Sequence, residues 1–181
     1  MQYLKTVVLK DGRECTLRHC TGDDGREALE FFLQVHEETD YLLSYPDENK
    51  MTAEDESSFL EKIAESEREA EIVAVLGGRI VGMAGFSSMG GFFKVRHRAE
   101  FGISVLKEYW NLGIGGALMD ACLECAAAAG YKQVELSVMA SNTAALALYK
   151  KAGFTEFARN PKGFNSRITG YTELVSMRKE L

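Results

Sequence analysis

Apolar and polar positions follow two periods along this chain, one near two residues and one near three to four. Val7-Val8-Leu9 and Cys15-Thr16-Leu17-Arg18 flank Asp11-Gly12, which predicts a β-hairpin turning through the positive φ angles of a type I′ turn. Leu29, Phe32, Leu33 and His36 then recur at helical spacing and predict a helix to about Glu37, capped by Thr21 or Asp23, with these four on its inner stripe. Residues 39–50 contain Pro46 and read as a loop. Thr52, with Asp55 near the capping-box position, opens a second helix whose inward residues are Phe59, Leu60 and Ile63. A second hairpin follows, Glu71–Leu76 and Arg79–Phe86, joined by Gly77-Gly78. The next loop, 87–95, carries Gly90-Gly91-Phe92-Phe93, which reads as a mobile aromatic lid or as a hairpin tip with packed rings.

The pattern changes in the second half. Arg98–Val105 reads as a strand, and beyond Gly113, Gly115 and Gly116 an alanine-rich helix runs to Gly130 with Leu118, Cys122 and Leu123 on its apolar side. Lys132–Met139 is a strand, and Ala144–Ala152 a short helix capped by Ser141 or Asn142 and stopped by Gly153. Phe154–Ala158 and Tyr171–Arg178 are the last two strands. Hairpins first and strand–helix–strand units second predict an α+β fold, a mixed and mostly antiparallel sheet flanked by helices. A doubly wound sheet would alternate strand and helix throughout. With no linker or repeat, residues 1–181 read as a single domain.

Charge narrows the partners. Twenty-one basic against 27 acidic side chains leave a net charge of −6, which argues against nucleic acid and suits an amine-bearing partner. Met1-Gln2-Tyr3-Leu4-Lys5 lacks the apolar core of a signal peptide, and no stretch has the length of a membrane span, so the expectation is a cytoplasmic protein with no membrane partner. Cys122 and Cys125 have metal-like spacing but fall inside a helix, without a second such pair. With Cys15 and Cys20 they read as reduced thiols, and no metal is expected.

The glycines at the strand-to-helix junction carry the most chemistry. Bare backbone N–H groups at a helix start, with the helix dipole behind them, suit phosphate oxygens. The plainer reading is that Gly113, Gly115 and Gly116 only permit tight helix–strand packing. A dinucleotide site is a poor match, because Leu118 takes the place of the third glycine and Glu135, the acid at ribose distance, sits inside a strand. No Gly-Lys-Ser/Thr follows, so the Walker pattern fails too.

A second motif lies downstream: Asn142, Ala145, Tyr149 and Gly153-Phe154, in the spacing N-x-x-A-x-x-x-Y-x-x-x-G-F. Together with Trp110-Asn-Leu-Gly113-Ile-Gly115, set against Q/R-x-x-G-x-G/A, it resembles the GNAT superfamily of N-acetyltransferases from about Cys15 onward. The resemblance implies an acyl-CoA N-acyltransferase fold with splayed central strands, and transfer of an acetyl group from acetyl-CoA to a primary amine of a small molecule or peptide. It also implies that the backbone of Ile103, Ser104 and Val105 receives the pantetheine arm, while Gly113, Ile114, Gly115 and Gly116 hold the pyrophosphate. Trp110 departs from the family's Gln or Arg, so Asn111 is the replacement donor. Asn142 contacts the cofactor or merely caps its helix, and Tyr149 protonates the departing thiolate or packs its ring in the core. Glu100 is the candidate base, acting through water, with a solvated strand carboxylate as the alternative; His97 is a weaker candidate. Ser137 stands where acetyltransferases of ribosomal protein amino termini often carry a Glu. The acidic run Glu37, Glu38 and Asp40 is either an acceptor site or a solvated helix end. By the same resemblance a homodimer would form through the carboxyl-terminal strands. The contrasting reading is a non-catalytic acyl-CoA-binding module on the same fold.

Overall fold

The computed structural model describes residues 2–181. Its elements are β1 (Leu4–Val8), β2 (Glu14–His19), α1 (Gly25–Glu38), α2 (Ala53–Glu65), β3 (Ala70–Leu76) and β4 (Arg79–Ser88), then β5 (Arg98–Val105) and α3 (Ile114–Ala128). They continue with β6 (Gln133–Met139), α4 (Thr143–Lys151), β7 (Thr155–Ser166) and β8 (Gly170–Glu180). The strands form one sheet in the order β1-β2-β3-β4-β5-β6-β8-β7. Every neighbouring pair is antiparallel except β5 and β6.

Alternation along the strands builds two cores. Ile72, Ala74, Ala84 and Phe101 share the larger one with α3, Tyr149 of α4 and Phe154. Val73 and Ile80 point to the other face, where Ala28, Phe31 and Val35 of α1 and Leu60 of α2 cover them. The expected α1 stripe is therefore rotated: Leu29, Phe32, Leu33 and His36 are only half-buried. Gly25 explains the rotation, because a Cβ there would run into Ser57 of α2, so the two helices touch along the face that begins at residue 25. The same one-residue offset exposes Phe59, at 48%, while Leu60 next to it is fully buried.

The two hairpin turns differ. Gly77 and Gly78 have φ of +61° and +82°, as a type I′ turn requires. In the first hairpin only Gly12 is left-handed, at +87°, and the strands are joined by a five-residue loop in which Leu9 N–H donates to Arg13 C=O. The Asp11 carboxylate accepts the Arg13 amide, so the predicted two-residue turn is replaced by a longer one with a side-chain brace. The β7–β8 hairpin is longer than its apolar pattern suggests. Pro161 sits in an irregular stretch of the edge strand β7, between Asn160 and Phe164, where no ladder bond is needed. Phe92 and Phe93 do not pack at a hairpin tip: both rings are exposed, and Arg96 lies over Phe93.

The feature that positions the site is in the middle of the sheet. β5 and β6 pair only through Arg98–Gln133, Ala99–Val134 and Glu100–Glu135. Beyond Glu100 the two strands part, leaving a slot between residues 101–105 and 136–139.

Candidate active site

The slot exposes backbone on one side. Leu106 N–H donates to Val81 C=O, and in an antiparallel ladder successive residues face opposite edges, so Gly102 and Ser104 turn their backbone to β4. Phe101, Ile103 and Val105 turn theirs to the slot. Val105 C=O is already engaged, accepting the Trp110 Nε1–H at 2.7 Å. That bond uses the only donor of the indole, so Trp110 seals the end of β5 and has no N–H left for a phosphate. Ile103 keeps a free backbone edge. Ser104 offers its side chain to the opposite face instead, where it lines the cleft described below.

Past β5 the chain makes a turn through Asn111, at φ +65°, and Gly113, at φ +99°, into α3. Asparagine is among the few side chains that tolerate the left-handed region, and Gly113 is the helix cap. The first amide of this turn with a protein acceptor is Ala117 N–H, bonded to Gly113 C=O. Among the described residues, the N–H groups of Ile114, Gly115 and Gly116 have none. These three amides are the unsatisfied donors of a helix start, aimed outward with the positive end of the dipole. Tight packing does not account for the glycines. A Cβ on Gly113 would meet nothing within 4 Å, one on Gly116 only Leu148 Cδ1 at 3.9 Å, and one on Gly115 the flexible end of Leu148 at 3.3 Å.

α4 supplies two further groups. The Asn142 Oδ1 caps the helix by accepting Ala145 N–H at 3.2 Å, which leaves its amide NH2 unpaired among the described residues. Capping and ligand contact are thus compatible on one side chain. The Tyr149 ring is buried, edge-on to Phe101 at 6.5 Å and tilted against Phe154 at 5.9 Å. Its hydroxyl has no partner among the described residues, yet it is not sealed off as Thr172 Oγ1 is. Burial pushes the phenol up to about 12, so it remains protonated across the neutral range. The ring belongs to the core, as one reading of Tyr149 expects, and the hydroxyl has no partner among the described residues.

On the other face, α1 and α2 overhang β3, β4 and β5 to form a cleft of about 510 Å³. Phe32, Met51, Phe59 and Ile63 form its apolar wall, and Glu100 stands exposed at its edge on β5. Glu71 of β3 lies at its floor and is a functional candidate that no sequence motif marks. Burial, and then the nearby Glu56 carboxylate, push Glu71 up to about 8. Glu56 itself is raised by burial.

Other candidates are engaged elsewhere. Glu38 accepts Lys107 N–H at 2.7 Å, and Asp40 accepts the Ser166 hydroxyl at 2.6 Å and the Tyr45 hydroxyl at 2.8 Å. Two members of the acidic run therefore hold loops together. Glu135 is buried in a bidentate pair with Arg98, one arm at 2.7 Å, which removes it as a ribose ligand. His97 lines a separate basic pocket with Lys94, Arg98 and Arg178, at the end of β5 away from the slot. All four cysteines are buried free thiols, and Cys122 Sγ–H donates to Ala84 C=O at 3.3 Å.

Known proteins share this architecture. A family model described as the acetyltransferase (GNAT) family matches residues 27–154. An N-alpha-acetyltransferase from Sulfurisphaera tokodaii is 36% identical over 106 residues, which are 54% of this chain and 63% of that relative, so the match spans somewhat less than two thirds of the relative's length. A GNAT-family acetyltransferase from Streptococcus pneumoniae superposes with a TM-score of 0.88 at 29% identity, over 92% of this chain and 99% of that one. A phosphinothricin acetyltransferase of the same superfamily from Sinorhizobium meliloti, solved with acetyl-CoA, superposes with a TM-score of 0.80 at 19% identity, over 92% and 88%.

Proposed function

We propose, from the premise that this chain belongs to the GNAT family of acetyltransferases, that it moves an acetyl group from acetyl-CoA directly to a primary amine of a small molecule or peptide. One domain, 1–181, carries both half-sites in this reading. The observation that carries it is the coincidence of three things at one slot: a free strand edge at Ile103, three unpaired amides at Ile114–Gly116, and the unpaired hydroxyl of Tyr149.

Ile103 hydrogen-bonds the pantetheine arm as a strand would, and its amide polarises the thioester carbonyl. Gly113, Ile114, Gly115 and Gly116 cradle the pyrophosphate, and the Asn142 amide NH2 and the Asn111 side chain add donors. Val105 and Trp110 shape the slot's end; Ser104 faces the acceptor. The acceptor nitrogen attacks the carbonyl carbon, the C–N bond forms and the C–S bond breaks. Tyr149 gives its proton to the leaving thiolate. Glu100, exposed on β5, carries the acceptor's proton to solvent through water. The scheme calls for no metal.

The acceptor class draws support from both sides, since one relative is named for α-amino groups and a structural neighbour for a small amine. Free thiols and an acidic composition suit the cytoplasm. Among the described residues, no helix is long and apolar enough to cross a membrane. The exposed edge strand β7 is the surface through which we would expect a homodimer.

The test is thiol release from acetyl-CoA across a panel of small amines and amino-terminal peptides, with product mass shifted by one acetyl group. Turnover of at least one acceptor is expected. Binding of CoA without turnover for any acceptor would favour the non-catalytic module.

A further inference from the structure

We infer that Glu71 is the group that takes the proton from the acceptor's ammonium, at the floor of the cleft, before Glu100 passes it to solvent. The inference rests on the acetyltransferase reading above and adds a residue to it.

The geometry begins with a row across the sheet. Glu71 of β3 pairs with Gly85 of β4, and Gly85 pairs with Gly102 of β5. All three present the same face to the cleft, and two of them have no side chain. The Glu71 carboxylate fills the vacated space: an added Cβ on Gly85 would fall well inside contact distance of Glu71 Oε2. The carboxylate therefore lies over β4, about one strand spacing, ~4.8 Å, from Gly102. At Gly102 a Cβ would meet nothing within 4 Å, so the floor in front of the carboxylate is open. Gly102 directly precedes Ile103, whose backbone edge borders the slot. Glu71 thus points from the acceptor side toward the place where the thioester would lie.

No cation answers it. Among the described residues Glu71 forms no ion pair, and no side-chain or backbone donor bonds its carboxylate. The Asp24 and Glu135 carboxylates, by contrast, are each held bidentately by arginine. An uncompensated carboxylate in an apolar cleft is costly unless a ligand pairs with it. The groups that face it are Glu56 from α2, Glu100 from β5, the Cys20 thiol at the end of β2 and, from below the sheet, the Cys122 thiol. The α1 wall, Ala28, Phe31 and Phe32, has no titratable group, and neither does the lining that β4 adds with Met83, Gly85, Phe86 and Ser87. The nearby titrating groups are carboxylates and thiols, so the partner that fits is a cation, and the cation this reaction brings is the protonated amine.

The step balances. The step starts from the ionised fraction of Glu71, which grows as pH rises toward about 8: the ammonium N–H bond breaks, its proton goes to Glu71 Oε2, and the freed lone pair attacks the acetyl carbon. Glu71 with its affinity near 8 is far closer to an alkylamine than an ordinary carboxylate is, so it accepts this proton without the large mismatch that a solvated Glu imposes.

The experiment compares wild type, Glu71→Gln and Gly85→Ala by steady-state kinetics on the amine panel, with melting temperature and CoA affinity measured on each. Glu71→Gln should lose about 100-fold or more in kcat, keep its CoA affinity and melt no lower than wild type. A structural role would lower the melting temperature instead. Gly85→Ala, whose Cβ would meet the carboxylate and also the Ala70 backbone carbonyl at 2.9 Å, should lower both kcat and melting temperature, and Glu71→Asp should keep more activity than Glu71→Gln. Wild-type turnover with Glu71→Gln within threefold of it would overturn the role of Glu71 and leave the acetyltransferase reading standing. A wild type silent on the whole panel would overturn both.

Discussion

At the scale of single residues, the proposed site uses side chains that the fold already employs for packing or capping. Tyr149 buries its ring against Phe101 and Phe154 and leaves its hydroxyl unpaired. Removing only the oxygen preserves the packing, so Tyr149→Phe should fold as wild type and bind CoA equally well. Turnover should fall by roughly 10- to 100-fold, because only proton delivery is lost. Unchanged kcat in a thiol-release assay would make Tyr149 a core residue alone. Asn142 shares the same economy of use, capping α4 with its oxygen while its NH2 stays free. Tyr149 and Asn142 could be singled out from sequence because they sit in a spaced local motif. Glu71 was not, because what makes it notable is Gly85, a residue fourteen positions later that becomes its neighbour only when β3 and β4 pair.

At the scale of elements, the helix start of α3 is where conformation and binding can be separated. Gly113 is needed for its backbone, since φ of +99° costs an L-residue roughly 1–2 kcal/mol. Gly113→Ala should therefore lose about that much stability and bind CoA more weakly. Gly116 is inside the helix, where alanine is favoured over glycine by about 0.5–1 kcal/mol, and its Cβ would be unhindered. Gly116→Ala should melt higher than wild type and yet bind CoA several-fold more weakly in calorimetry, because the new methyl covers the amides. Equal affinity would show that Gly116 is dispensable to the cradle. The order of strands and helices was readable from hydrophobic period and glycine punctuation, and the type I′ turn at Gly77-Gly78 from its dipeptide. The α1 stripe was not, since several apolar residues on that helix compete and Gly25 against Ser57 decides which turn inward. Trp110 shows the same limit: its partner, the Val105 carbonyl, is free to accept only because β6 has parted from β5.

At the scale of the whole molecule, charge placement decides how the fold answers to pH. The β7–β8 hairpin tip is tied to residues 40–47 by Ser166 to Asp40, Arg167 N–H to the Tyr45 hydroxyl, and the Arg167–Asp47 pair, contacts spanning 120 residues or more that no local pattern reveals. These ties are exposed or partly so and contribute little pH dependence near neutrality. The buried and half-buried groups matter more. Burial alone would raise Asp24, but the Arg18 fork outweighs it and holds the carboxyl below its usual range; that stability is present above the unfolded pKa and disappears in acid. Burial lowers His19 and His36, so stability also falls as pH drops below about 6.5. Glu71 acts in the opposite direction. Its folded pKa of about 8 lies above the unfolded value of 4.5, so the folded state binds the extra proton between those limits and stability falls as pH rises through them. Between pH 6.5 and 8 His19 and His36 lose the remainder of their unfolded-state protons, a small gain in stability, and the larger change is the loss of the folded-state proton on Glu71. The melting temperature should fall across that window by an amount equivalent to about 1–2 kcal/mol, and then level off. Glu71→Gln should flatten most of this fall, whereas Glu100→Gln, changing an exposed side chain, should leave it in place. A flat wild-type profile from pH 6.5 to 8, measured by calorimetry, would mean that Glu71 is already ionised at neutral pH and that water in the cleft compensates its charge.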